Sequence, residues 1–272
     1  MERAYATTGQ RLARLGLKLQ TALVLLFLVA PIAAIVPLSF SAGSFLHYPL
    51  PGLSLRWYRD FFTSDFWLPT VWNSAVIGAA ATALATILGT LAAIGLWRAR
   101  FPGRGLVFGL VMFPMMAPVV IVAVAVYFAY AQVGLANTYL GIILAHTALG
   151  APFVVVTVYA TLSGFDSALA RAAASLGASP ITVFRRVTLP LILPGVVAGA
   201  LFALVTSLDE VVVVLFMAAP EQRTLPRQMF AGINDNLSLT ITAAATLLVV
   251  LAVALMLTVA WLRRRGERLR GG

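Results

Sequence analysis

Asp209 and Glu210 stand side by side inside a long apolar run, "LILPGVVAGALFALVTSLDEVVVVLFM" over 191–217, and no other apolar run of the chain contains a carboxylate. An ionised acid in hydrocarbon costs about 2.5–3.5 kcal/mol on insertion scales, so it faces a partner or a water-filled path. Two chemistries suit the pair. The acids can line a conduit and attract a cationic solute, or they can pair with Arg223, Arg227 or a second subunit. Neighbours on a helix diverge by about 100°, so the two cannot aim at one spot. His146 lies in the middle of another apolar run with no acidic neighbour in sequence. A hydrogen bond to an adjacent helix satisfies it as readily as a proton relay would.

Other chemistry is missing from the sequence. There is no GxxxxGK[ST] segment to cradle ATP phosphates, no HExxH and no GxSxG. The chain has no Cys, which removes disulfides, zinc–thiolate sites and Cys nucleophiles. No catalytic residue, metal ligand set or cofactor of its own is therefore assigned to it.

The elements that hold these residues follow from composition. The 272 residues are 61% hydrophobic and 10% charged, whereas a soluble domain is about half apolar and a quarter charged. Roughly 20 apolar residues cross the hydrocarbon as a helix. Six windows qualify: Thr21–Phe40, Val71–Trp97, Leu106–Ala131, Tyr139–Leu162, Leu191–Met217 and Ser238–Leu262. The expected fold is thus all-α and integral to the membrane, a single domain of six transmembrane helices. The first window exceeds the 7–15 residues or so of a signal-peptide core and is read as a retained span.

Basic residues orient the spans. With both termini cytoplasmic, the inside segments hold Arg3, Arg11, Arg14, Lys18, Arg98, Arg100, Arg104, Arg171, Arg185, Arg186 and the five Arg of 263–270. The outside segments hold only Arg56, Arg59, Arg223 and Arg227. This asymmetry accounts for the net charge of +10 without nucleic acid. It makes 1–20 a cytoplasmic N-terminal segment, 41–70 an external segment and 263–272 a basic cytoplasmic tail. In the external segment, Trp57, Phe61, Phe62, Phe66 and Trp67 suit either an amphipathic helix at the interface or a loop with aromatic anchors. Pro114 and Pro118 interrupt the third window, where freed carbonyls could line a path or the helix could simply kink. Small residues in "GAAATALATILGTLAA" (78–93) point to close helix packing.

The longest inside loop, 163–190, reads as two short helices. Asp166 and Ser167 offer a cap, "ALARAAASLG" is rich in helix formers, and Gly177 is a C-terminal stop. Ser179 and Pro180 are N-cap and first residue of a second helix, which Pro190 and Pro194 are expected to end. Leu169, Ala172, Ala173 and Leu176 share an apolar face that needs burial.

This loop resembles the cytoplasmic coupling loop of permeases in ATP-binding-cassette importers. The family pattern is Glu-Ala-Ala, three residues, Gly, nine residues, Ile, one residue, Leu-Pro. Here Ala172, Ala173, Gly177, Val187, Leu189 and Pro190 fall at those spacings, with Leu176, Ala178, Ser179 and Pro180 between them. Arg171 stands where the pattern has Glu, a reversal of charge. "WNS" (72–74), "LGTLAAIGLWRARFPGR" (88–104) and "FPMMAPVVI" (113–121) also resemble this permease family, and "SLDEVVVVLF" (207–216) followed by "RTLPRQMF" (223–230) is similar to the second permease of spermidine/putrescine-type systems. The resemblance implies a type I importer permease. It implies a partner ATP-binding subunit dimer that binds ATP and Mg, a second homologous permease, and an extracytoplasmic solute-binding protein. It implies a polyamine as solute, with ferric ion, phosphonate or an opine-like compound as alternatives within the class. An ion-coupled secondary transporter using Asp209 and Glu210 is the rival outside it.

Overall fold

A computed structural model describes residues 8–164, 166–235 and 238–270. Among them there is no strand, only an isolated bridge between Ser41 and Leu53. The helices are α1 (Thr8–Leu38), α2 (Arg56–Thr63), α3 (Trp67–Arg98), α4 (Arg104–Met116), α5 (Val119–Gln132), α6 (Tyr139–Ser163), α7 (Ser167–Ser175), α8 (Pro180–Val183), α9 (Leu189–Asp209), α10 (Val212–Met217), α11 (Leu225–Asp235) and α12 (Thr240–Arg270). Five helical stretches are long and apolar enough to cross a bilayer: Leu12–Leu38, Trp67–Arg98, Tyr139–Ser163, Pro180–Asp209 and Thr240–Thr258. Helices α4 and α5 make a sixth crossing when taken as one broken span.

Two of the expected spans are not continuous. The third bends by 106° between α4 and α5. Pro118 favours the break, because proline disfavours the helical conformation in the residue before it, and Ala117 is extended at φ −75°, ψ 144°. Pro114 stays inside α4 and does not end it. The fifth expected span, Leu191–Met217, breaks after Asp209, where Glu210 is extended at φ −75°, ψ 118°. Val211–Val214 follow that break, and Val212 already opens α10.

The chain divides into two compact units, Met1–Thr63 with Asn236–Val249 and Ser64–Asp235 with Val250–Gly272. In the first, Leu26, Phe27 and Leu28 of α1 are 67%, 78% and 61% exposed. Three successive apolar residues point to different faces, which suits hydrocarbon on every side. The segment 41–70 contains a true helix, α2, but its aromatic residues do not share one role. Phe61 is buried, Phe62 and Phe66 are exposed, and Trp67 already belongs to α3. Trp57 Nε1 donates to the Ser41 carbonyl at 2.9 Å, and Thr240 Oγ1 donates to Asp60 Oδ2 at 2.6 Å.

In the second unit α3, α6 and α9 enclose the core, with Ala85, Val154, Val158, Ile192 and Ala203 buried together. Lipid offers no hydrophobic drive for helices to associate, so close backbone contact must supply it. A Cβ on Gly199 would lie 2.7 Å from Val154 Cα, and one on Gly195 would lie 2.9 Å from the Thr157 carbonyl oxygen. On α3, a Cβ on Gly89 would lie 2.7 Å from Val154 Cβ. These glycines let three backbones meet. At the far end of α3, Asn73 holds the 220–225 segment. Its Nδ2 donates to the carbonyls of Glu221 at 2.7 Å and Arg223 at 2.9 Å, and its Oδ1 accepts from Tyr139 Oη at 2.9 Å. The next residue, Ser74, accepts from the Leu225 amide at 2.8 Å.

Two outcomes follow. Gly199→Ala is expected to cost about 1–3 kcal/mol by overpacking against backbone. Gly95→Ala, with nothing within 4 Å of the new Cβ, should be neutral or stabilising by up to about 1 kcal/mol. Thermal unfolding of the purified protein in detergent checks this, and equal midpoints for the two variants would refute the packing account. Asn73→Ala removes three bonds of about 0.5–1.5 kcal/mol each, so amide exchange over 221–228 should quicken while the α6 core is unaffected. Unchanged exchange there would mean that the clamp contributes nothing.

Candidate functional site

The loop between α6 and α9 is built from local signals. Asp166 caps α7 by accepting from the Ala168 amide at 2.8 Å. Gly177 ends it with φ +85°, a left-handed turn that a side chain resists, while the amides of Gly177 and Ala178 bond back to Ala174 and Ala173. Ser179 then caps α8 through the Thr182 amide at 3.3 Å, with Pro180 in the first turn. The second helix does not end at Pro190 or Pro194. It passes through a π-helical turn, Phe184–Thr188, into α9. The Leu189 amide reaches back to the Phe184 carbonyl, so Pro190, which has no N–H, falls in the first turn of α9 where a missing donor matters least. Pro194 is accommodated inside α9.

Within this chain the loop buries little of itself. Leu176 is 89% exposed and Ile181 71%, with Leu169, Ala172, Ser179 and Pro180 also exposed and Ala173 and Ala178 half-buried. Arg171 donates to Ser167 Oγ at 2.6 Å, one helical turn back. Leu189 is half-buried and Pro190 exposed where the loop joins α9. The expected apolar face is therefore present, and nothing in the described residues covers it.

The two acids of the fifth run occupy the far end of α9 and have different surroundings. Glu210 turns its carboxylate onto the chain and accepts from the Val213 amide at 2.8 Å, which caps α10. Asp209 is exposed and has no hydrogen bond or ion pair among the described residues. Neither acid pairs with Arg223 or Arg227 there. Those two guanidiniums are half-buried, and the Nε of each is buried without a hydrogen-bond partner among the described residues. Burial, and next the like charge of Arg223, lowers the pKa of Arg227 below its ordinary value.

Pro118 sits at the bend between α4 and α5, with Pro114 one turn before it. His146 is buried, and its Nδ1 lies 2.7 Å from Ser207 Oγ of α9. This is the interhelical bond that its sequence position allowed, although nothing in the sequence singled out Ser207 as the partner. Sequence reasoning also missed Arg104. Its Nη2 donates to Tyr159 Oη at 2.5 Å and its guanidinium lies 5.8 Å from the ring centroid, tying the start of α4 to α6. The described residues contain no group of three or more His, Asp or Glu that could hold a metal ion.

Residues 85–268 match the family described as binding-protein-dependent transport system inner membrane component. The chain is 36% identical over 230 residues to the spermidine/putrescine transport system permease protein PotC of Haemophilus influenzae, covering 85% of this chain and 89% of that protein. It is 33% identical to the putrescine transport system permease protein PotI of Escherichia coli, covering 90% and 89%. The fold matches a bacterial ABC transporter involved in import of the acidic polysaccharide alginate, with TM-score 0.71, 14% identity and coverage of 97% of this chain and 99% of that one. It also matches the MetNI methionine ABC transporter in inward-facing conformations, with TM-score 0.60, 20% identity and coverage of 75% and 99%. The fold is that of a type I importer permease, and the chain belongs to the binding-protein-dependent transport system inner membrane component family, as a multi-pass permease subunit of the inner membrane.

Proposed function

We propose that this chain is one half of the membrane pathway of an ATP-driven importer whose solute is a polyamine. The observation that carries the reading is the loop 166–188: two capped helices with exposed Leu169, Leu176 and Ile181, joined without a helical break to α9. A loop with water on all sides has no use for such a face. A separate ATP-binding subunit dimer, with ATP and Mg bound there, docks on it from the cytoplasm. Both termini lie on that same side, as the distribution of Arg and Lys supports. The whole chain acts as a single permease domain, paired with a second homologous permease. An extracytoplasmic binding protein delivers the solute.

Closure of the ATP-binding dimer moves Arg171–Pro190, and α9 carries that motion to its other end. Its 21 residues from Leu189 to Asp209 span about 30 Å at the helical rise. Asp209 then lines the conduit and attracts the cationic solute, which its exposure and lack of an internal partner support. Glu210 acts beside it by fixing the break through its cap. Pro118 opens a second stretch of non-helical backbone in the third span, and Pro114 lies in the last turn of α4 that leads to it. The polyamine assignment is supported by the named substrates of the PotC and PotI relatives and by a carboxylate, rather than a base, at the end of α9.

Reconstitution with the ATP-binding subunits, the second permease and the binding protein should give spermidine uptake only with ATP. Asp209→Asn is expected to lower uptake at limiting spermidine by about tenfold or more, the scale on which a charged cleft concentrates its counter-ion, with solute-stimulated ATP hydrolysis retained at saturation. Glu210→Gln keeps an acceptor oxygen for the Val213 amide and should leave uptake close to normal. Unchanged uptake by Asp209→Asn at limiting solute would remove that carboxylate from the conduit.

A further inference from the structure

A cleft of about 250 Å³ lies between the coupling loop and the ends of α3 and α6. Its lining includes Trp97, Leu162 and Phe184 together with two arginines, Arg98 from the last turn of α3 and Arg171 from α7. No Asp or Glu lines it. We infer that this cleft is a binding site for the phosphate headgroup of an anionic phospholipid.

Four observations carry this. The first is position. Arg98 closes α3, and Leu162 lies one residue from the end of α6, so the cleft opens where two spans leave the hydrocarbon, and Trp97 is the residue type favoured at that depth. The second is unspent donors. Arg98 makes no hydrogen bond or ion pair among the described residues, and Arg171 makes one, to Ser167. A guanidinium has five N–H donors in a planar fork that matches phosphate oxygens. The third is charge. Two uncompensated cations on apolar walls repel a polyamine and attract an anion, and basic pockets between transmembrane helices are a recognised place for acidic headgroups. The fourth is mixed lining. Trp97 and Phe184, both only half-buried, suit the glycerol and first acyl carbons of a lipid better than a fully hydrated free ion.

The consequence is mechanical. A headgroup held by both Arg98 and Arg171 fastens α7 to the end of α3, so the position of the loop becomes dependent on acidic lipid. The family pattern has Glu where this chain has Arg171, so this chain carries a cation at the lip of the cleft that the pattern does not.

The test uses the full chain purified with its co-eluting subunits in nanodiscs of phosphatidylcholine carrying photoreactive phosphatidylglycerol. Labelling should map to peptides containing Trp97 and Phe184. At about a factor of five per guanidinium near a membrane surface, Arg98→Gln with Arg171→Gln should weaken it roughly thirtyfold. Ala174→Trp fills the cleft without touching either charge and should also abolish labelling, which keeps the test decisive if the double variant does not fold. Equal labelling in wild type and Ala174→Trp would overturn the inference. Full competition by inorganic phosphate would assign the cleft to a soluble anion instead, and labelling that appears only after the co-eluting subunits are stripped would assign it to a carboxylate of a partner protein. The readout needs no transport, so its failure is separate from failure of the importer reading.

Discussion

Everything in the second unit depends on the backbone of α9 lying directly against α6. Gly195 and Gly199 make that possible, since a methyl group at either would run into Thr157 or Val154 main-chain atoms. In a soluble protein such a contact is one of many sources of stability. In lipid, where apolar side chains gain nothing by leaving hydrocarbon for protein, close packing and the few interhelical hydrogen bonds are the main adhesive. The His146–Ser207 bond lies on the same α6–α9 seam and adds direction to it. The result is a stiff rod, with the exposed loop at one end and Asp209 at the other.

The spans around that seam are not all continuous. Non-helical backbone at membrane depth is tolerated only where protein or water covers it. Among the described residues two spans are broken, after Met116 and after Asp209, and each break has a local chemical cause. Pro118 biases Ala117 toward its extended conformation, and the Glu210 carboxylate accepts the Val213 amide. The Asn73 clamp then holds the segment that follows α10, so the region beyond the second break is anchored to α3.

Much of this was legible in the sequence, for identifiable reasons. Apolar windows gave the spans because hydrocarbon thickness fixes their length. Asp166, Gly177, Ser179 and Pro180 gave the loop because caps and left-handed turns are local choices. The continuous helix through Pro190 was not legible: whether a proline ends a helix depends on the bond register before it, and the π turn that resets that register has no composition signature. The break at Glu210 was not legible either: the valines that follow it resume a helix, and the bond from the Val213 amide to the Glu210 carboxylate is a choice of side-chain rotamer. The tertiary partners Ser207, Tyr159 and Glu221 could not be read at all, since each bond joins residues more than fifty positions apart.

The central claim is that loop 166–188 is the handle by which a nucleotide-hydrolysing partner moves α9. The chain has no Cys, so a single cysteine in place of Leu176 gives an unambiguous probe. In the assembled transporter, a benzophenone maleimide attached to that cysteine is expected to photo-crosslink to an ATP-binding subunit, since the photoreactive end inserts into C–H bonds and needs no second thiol, and a membrane-impermeant maleimide to reach the position only from the cytoplasmic side. Modification from the external side, or linkage to no ATP-binding subunit, would contradict the account.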